Sequence, residues 1–330
     1  MKIEYTKDTD MKIEHTLDRR DFVKTMALGL GVAALGLGVA ALPLGVAALP
    51  ALGAQAPQGL KNLKIGISTL AWNVSTNSID NFENAVKDTA ELGYWSFETV
   101  SPIIEAYDKD GRLAGVIEKY KVPLKAGFID VNVTDPSVRK ENIEKVIRIG
   151  KLVKKNGGNY VVLSVNNRRP PFDFKERKTD MVAALNDYGM AAADLGLGAG
   201  LHQHTGTVIE KRDEVYAIME SVNTKVMAFA PDVGQLQKSG ADAAQVVKDF
   251  ANIITHMHLK DYSNGKYMGG YCPLGMGVVD IESILNTLEQ AGLNPGVMHE
   301  LDRSNAPMSA RDTAIFSKAY LIRLGYKFRS

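Results

Sequence analysis

Beyond residue 57 the chain alternates short apolar runs, rich in β-branched residues, with longer amphipathic stretches, which implies strand–helix units and not a sandwich of two sheets. Eight runs read as strands, at 64–68, 95–100, 124–130, 160–165, 199–204, 226–231, 256–260 and 296–301. Helical periodicity falls between them, at 78–92, 112–121, 138–156, 178–195, 211–222, 241–250 and 281–291. No Pro/Ser-rich linker divides the series, so it predicts an α/β fold, a single (β/α)8 TIM barrel over 58–330. An open doubly wound sheet is the alternative, and it often carries a Gly-rich phosphate loop after its first strand. Here that position reads Thr69-Leu70-Ala71-Trp72-Asn73, a poor phosphate cradle.

Residues 1–57 lack this rhythm and are set apart as an N-terminal signal and low-complexity apolar segment. Asp18-Arg19-Arg20-Asp21-Phe22-Val23-Lys24 resembles a twin-arginine export signal, and an uncharged Gly/Ala/Leu stretch follows it to Ala54. Ala54-Gln55-Ala56 offers small residues for cleavage. The expected partner is the twin-arginine export machinery, and the expected location is the periplasm or the medium. Left uncut, the apolar run is long enough to anchor the chain in a membrane, although Pro43, Pro50 and the glycines weaken a helix there.

What remains is about 270 residues, enough for one barrel or two small domains. A formal charge of +1 gives no electrostatic reason to expect nucleic acid. With Cys272 as the single cysteine, no disulfide can form within the chain, so an exported form depends on its core alone. No dinucleotide fingerprint supports an NAD-dependent oxidoreductase.

Five of the six histidines fall between His202 and His299, in the runs LHQHTG, ITHMHLKD and VMHEL. In a barrel, side chains at the C-terminal strand ends converge on one mouth, and residues two apart on a strand share a side. His202 and His204 thus face one way from strand five, and His256 and His258 do so from strand seven. Asp232 ends strand six and Glu300 ends strand eight. Imidazole and carboxylate groups from four neighbouring strands suit one divalent metal ion, Mn, Co, Zn, Ni or Fe, with Mg also admitted, better than Ca. His299 adjoins Glu300 and points to the opposite side, and His256 lies deeper than His258.

The segments FAPDVG, HMHLKD, PLGMGVVDIESIL and HEL resemble those of the sugar phosphate isomerase/epimerase superfamily, the xylose-isomerase-like TIM barrels. The resemblance runs from about Leu63 to Tyr326 and is strongest from Leu201 onward. It implies a metal held by His202, Asp232, His258 and Glu300. Two positions depart from the common pattern: His202 stands where many members have a glutamate, and Gln235 where many have a histidine. The strand-five segment LHQHTGTVIE is similar instead to the inosose dehydratase branch.

Such a metal would polarise a ketone so that a side-chain base can remove the proton from the adjacent carbon. Returning the proton gives isomerisation or epimerisation; expelling a neighbouring substituent gives a lyase or dehydratase. The resemblance therefore implies an exported metal-dependent isomerase or epimerase of keto sugars. The alternatives are elimination of water or an aglycone from an inosose-like or 3-keto-glycoside substrate, and a non-catalytic sugar-binding barrel. Metal-dependent apurinic endonucleases share the fold but need further ligands and a basic face. Expected catalytic groups are His204 as base, Glu300, and Lys260, whose cation could neutralise an enolate. Expected substrate contacts are Glu98, Trp72, Asn166, Arg168, Gln235 and Glu210. The partner is a small sugar or keto-glycoside, and self-association is left open.

Overall fold

The computed structural model describes residues 61–330 apart from 166–172, 294–295 and 303–306. The expected signal segment, Asn166 and Arg168 lie outside the described residues. The barrel strands are β1 (Ile65–Ser68), β2 (Phe97–Val100), β3 (Leu124–Val131), β4 (Tyr160–Val165), β5 (Gly198–His202), β6 (Ala228–Phe229) and β7 (His256–Leu259). A short hairpin, β8 (Asp261–Tyr262) with β9 (Tyr271–Cys272), precedes the last barrel strand, β10 (Gly296–His299). The sheet order is β6-β5-β4-β3-β2-β1-β10-β7, parallel at every ladder. Parallel bridges at Phe229↔Ile254 and Asp232↔His258 close it between β6 and β7. These eight strands with their surrounding helices are a TIM barrel.

The closing seam explains why β6 is two residues long where six were expected. Pro231 has no N–H to give the ladder, so regular pairing lapses there. The Pro231 carbonyl still accepts from the His258 N–H at 2.9 Å, and pairing resumes at Asp232. This seam sets Asp232 beside His258 and so fixes half of the site.

Three helices join those expected. Ser101–Asp108 starts with proline in its first turn, where the missing N–H costs nothing. Val233–Lys238 begins because the Asp232 carboxylate accepts from the Gln235 N–H at 3.0 Å. Ala310–Arg323 is capped by Ser309, whose hydroxyl accepts from the Asp312 N–H and donates to its carboxylate. The bulk of the core lies between strands and helices, which is why β4 and β7 are buried at every position. A second, smaller cluster of Ala126, Phe128, Tyr160, Val162 and Ala230 fills the barrel interior. Upon this floor stand two histidines: Tyr160 stacks on His256 at 4.9 Å and Phe128 on His258 at 5.8 Å between ring centres.

Two glycines make room for the polar groups above. A Cβ at Gly296 would lie 2.5 Å from His256 Nδ1, and one at Gly234 would lie 2.7 Å from Lys260 Cγ. Among the described residues no helix is long and apolar enough to cross a membrane.

Candidate metal centre

β7 presents His256 and His258 to the interior, and both rings meet one carboxylate, that of Glu98 on β2. His256 Nε2 lies 2.7 Å from Glu98 Oε2, and His258 Nε2 lies 2.7 Å from Glu98 Oε1. The other ring nitrogen of His258, Nδ1, abuts Glu300 Oε2 at the end of β10. One residue pair further along, the Lys260 ammonium is 2.8 Å from Asp232 Oδ2, 2.9 Å from Glu300 Oε1 and 3.1 Å from Asp302 Oδ2. Its aliphatic stem passes Gly234, and its charge lies 4.8 Å from the centre of the Tyr271 ring. Glu98, Asp232, His256, His258, Lys260 and Glu300 are all buried.

Burial works against every charge in this cluster, so the neighbours decide its protonation. For Glu98 burial raises the pKa, but His258 and His256 outweigh it and bring the carboxyl down to about 2. Burial also opposes charge on His258, yet Glu300 and Glu98 hold that imidazole well above its ordinary range. Lys260 is likewise raised against burial by Asp232, Asp302 and Glu300. Glu300 is held well below the usual carboxylate range because His258 and Lys260 overcome its burial. His256 is lowered by burial more than Glu98 can raise it.

Besides His256 Nδ1, which lies toward Gly296, three buried atoms here have no hydrogen-bond partner: Asp232 Oδ2, His258 Nδ1 and Glu300 Oε2. Asp232 Oδ2 is close to Lys260 Nζ, and the other two are close to one another, but without hydrogen-bond geometry. Ligand atoms of these residues all lie within 4.8 Å of one another. Buried polar atoms are ordinarily satisfied, so three orphans converging on one point fit a metal ion. Formal charge agrees, since the carboxylates of Glu98, Asp232, Glu300 and Asp302 outnumber the two cations, Lys260 and the His258 imidazolium. One nitrogen and two oxygen donors, with no thiolate, form a set for a first-row divalent ion.

The strand-five pair adjoins this cluster: ligand atoms of His202, His204 and Asp232 also lie within 4.8 Å of one another, and the His202 and His258 ring centres are 4.3 Å apart. His202 Nδ1 lies 2.8 Å from the Ala230 carbonyl, so it must carry the proton, which leaves Nε2 with the lone pair. His202 Nε2 is in turn 3.0 Å from His204 Nε2. Both imidazoles are kept neutral by burial, His202 well below its ordinary range and His204 down to about 4, with the like charges of nearby His258 or Lys260 adding to it. His204 therefore donates from Nε2 and keeps its own lone pair on Nδ1. Since one lone pair cannot serve both partners, His202 Nε2 can join a metal only by giving up the bond from His204.

The other expected residues divide. Gln235 is at the mouth, where its side-chain oxygen accepts from the Thr205 hydroxyl and, at 3.2 Å, from the Thr205 N–H. Trp72 is corrected: its ring is packed in the core and its indole N–H donates to Asp88 at 2.8 Å, so no open stacking face remains. Glu98 is corrected as well, because it is buried at 1% exposure beneath the two histidines that bond its carboxylate, out of reach of a sugar hydroxyl. Glu210 belongs to none of the candidate ligand groups, and its N–H is held by Glu214 ahead of the helix Arg212–Met219. Glu300 accepts from Lys260 at Oε1 and turns Oε2 toward His258 Nδ1 and the candidate metal position. His299 points away, stacked on Tyr94.

Sequence reasoning missed Asp302, Gln203, Thr205 and Tyr271. Asp302 could have been found, being two residues beyond Glu300. Gln203 clasps the Asp232 backbone, donating to its carbonyl at 2.8 Å, and Tyr271 arrives from the short strand β9, two residues that carry no periodic signal.

A family model described as the xylose isomerase-like TIM barrel matches residues 86–320. The chain belongs to this family. Among curated proteins it is similar to an inosose dehydratase of Clostridium perfringens, 23% identical over 292 residues, covering 79% of this chain and 97% of the relative. Among solved structures it superposes on the IolI protein with a bound zinc atom at a TM-score of 0.66 and 19% identity, covering 81% of this chain and 100% of that one. A D-allulose 3-epimerase from Methylomonas sp. in complex with D-allulose gives a TM-score of 0.66 at 18% identity, over 81% and 98% of the two chains. At these identities the solved structures speak for the fold alone.

Proposed function

We propose that this xylose isomerase-like barrel is a divalent-metal-dependent enzyme that enolises a keto sugar or cyclic polyol ketone with a single base, and that the reaction completes by elimination. The observation that carries this is the asymmetry of the mouth. Epimerisation by two bases needs a free group on each face of the substrate, but Glu300 is tied at Oε1 to Lys260 and turns Oε2 toward His258 Nδ1 and the candidate metal position. Among the described residues, His204 is the one group at the mouth that is neutral, half-buried and with a lone pair on Nδ1.

Asp232, His258 and Glu300 would hold the metal, which when bound supplies Lewis-acid polarisation of the substrate carbonyl. His204 Nδ1 accepts the proton from the adjacent carbon and, as imidazolium, gives it to the departing hydroxyl, which leaves as water, while Lys260 places fixed positive charge between Asp232, Glu300 and Asp302, beside the negative charge that develops. Gln235, Thr205 and Tyr271 form a polar wall that can orient hydroxyls. Similarity to inosose dehydratases over nearly their whole length supports elimination of water as the outcome. Isomerisation by the same single base is the second reading, favoured by the expectation from sequence and by the fold shared with sugar epimerases. We further propose that residues 18–56 direct export, so that the substrate is an unphosphorylated sugar derivative.

The test is to incubate the zinc- or manganese-loaded protein with an inosose, a 3-keto-glycoside and free ketohexoses in heavy water and to follow each by NMR. Loss of water or aglycone supports elimination, and deuterium beside the carbonyl without loss of a group supports isomerisation. Absence of exchange in all substrates, with metal bound, rejects enolisation and leaves the non-catalytic sugar-binding barrel.

A further inference from the structure

The group Glu98, His256 and His258 offers ligand atoms close enough to hold an ion of its own. Its distances say otherwise. At 2.7 Å each, the two imidazole–carboxylate contacts are hydrogen bonds, and an ionised carboxylate only accepts. Both histidines must therefore carry their proton on Nε2. For His258 this leaves Nδ1 as the nitrogen whose proton a metal can displace to gain a lone pair, and Nδ1 is the atom without a hydrogen-bond partner that faces Glu300 Oε2. His256 cannot be a ligand in the same site, since its own Nδ1 lies toward Gly296 on the floor of the barrel.

We infer that Glu98 is a positioning residue, which by accepting from Nε2 of both His256 and His258 commits His258 to offer Nδ1 to the metal formed around Asp232 and Glu300. The inference rests on the metal reading above. His256 holds the second carboxylate oxygen, and Tyr160, stacked on His256, keeps that ring in plane. Tyr160 is itself tied at its hydroxyl to Thr255 at 2.7 Å. A chain of contacts from the barrel floor to the mouth thus fixes the orientation of one ligand, which is the usual task of a carboxylate behind a metal-bound histidine.

Nitrogen-15 NMR of the zinc-loaded, histidine-labelled protein reads the ligating atom directly. The expected result is a His258 ring with a proton on Nε2 and zinc on Nδ1; zinc on Nε2 overturns the inference. In Glu98→Gln, one amide cannot accept from two rings and its NH2 confronts one N–H. Zinc affinity should then fall by about 10- to 100-fold, and the visible spectrum of the cobalt-substituted protein should change. Unchanged affinity and spectrum in a folded E98Q overturn the inference while leaving the metal reading intact. Failure of the wild-type protein to bind zinc or cobalt overturns both. Should E98Q not fold, the wild-type NMR result decides alone.

Discussion

At the level of single residues, the barrel mouth separates groups by what their neighbours leave free. His204 and His258 are both strand-end imidazoles, yet the first is stripped of charge by burial while the second is charged by Glu300 and Glu98. His204→Gln should therefore lower kcat by roughly 10²- to 10⁴-fold while leaving zinc content, measured by elemental analysis, unchanged. Lys260 has the reverse dependence on its surroundings, being a fully buried cation that three carboxylates share. Lys260→Met should destabilise the fold by about 3–5 kcal/mol in urea titrations, because it leaves Asp232 and Glu300 buried with excess charge. Parity along the strands was enough to read His202, Asp232, His258 and Glu300 as neighbours. It could not show that His202 would share its lone pair with His204, or that Glu98 would be consumed by hydrogen bonds, because both depend on ring rotation and on partners far away in the chain.

Among the elements, the loop between β8 and the helix Ile281–Gln290 is organised by one carboxylate. Asp261 accepts backbone N–H bonds from Tyr262 at 2.8 Å, Gly275 at 2.9 Å, Gly277 at 2.9 Å and Val279 at 3.1 Å. Such charge-assisted bonds are worth more than neutral ones. Asp261→Asn keeps the size but replaces one oxygen with a donor. Hydrogen exchange over 263–280 should then quicken by an amount corresponding to roughly 2 kcal/mol, with exchange in β4 unaltered. Gly234 offers a contrasting test at the start of the helix Val233–Lys238, where an added methyl would meet the Lys260 stem. Gly234→Ala should cost about 1–3 kcal/mol by thermal denaturation. The 275–280 stretch reads from sequence as a turn, but only the folded loop reveals that Asp261 is its anchor.

Taken as a whole molecule, the barrel carries a buried negative cluster whose orphan atoms favour a bound cation. An ion that binds the folded state alone stabilises it by about 2.7 kcal/mol at a hundredfold excess over Kd. Chelation should accordingly lower the melting temperature by several degrees, and restoring zinc or manganese should return it; a melting curve indifferent to chelator would count against the site.

The eight-strand rhythm and the gathering of His202, Asp232, His258 and Glu300 at one mouth were determined by the sequence itself, because pleat alternation and parallel strand ends are local rules that residue spacing records directly. The three unexpected helices and the shortened β6 depended on caps and on a proline within a seam. Which nitrogen of each histidine bears a proton, which carboxylates are already engaged and which base is left free were decided only by the closed barrel. Those properties arise from contacts between residues as far apart as Glu98 and His258, brought within 2.7 Å by closure and buried together where each charge is set by its neighbours.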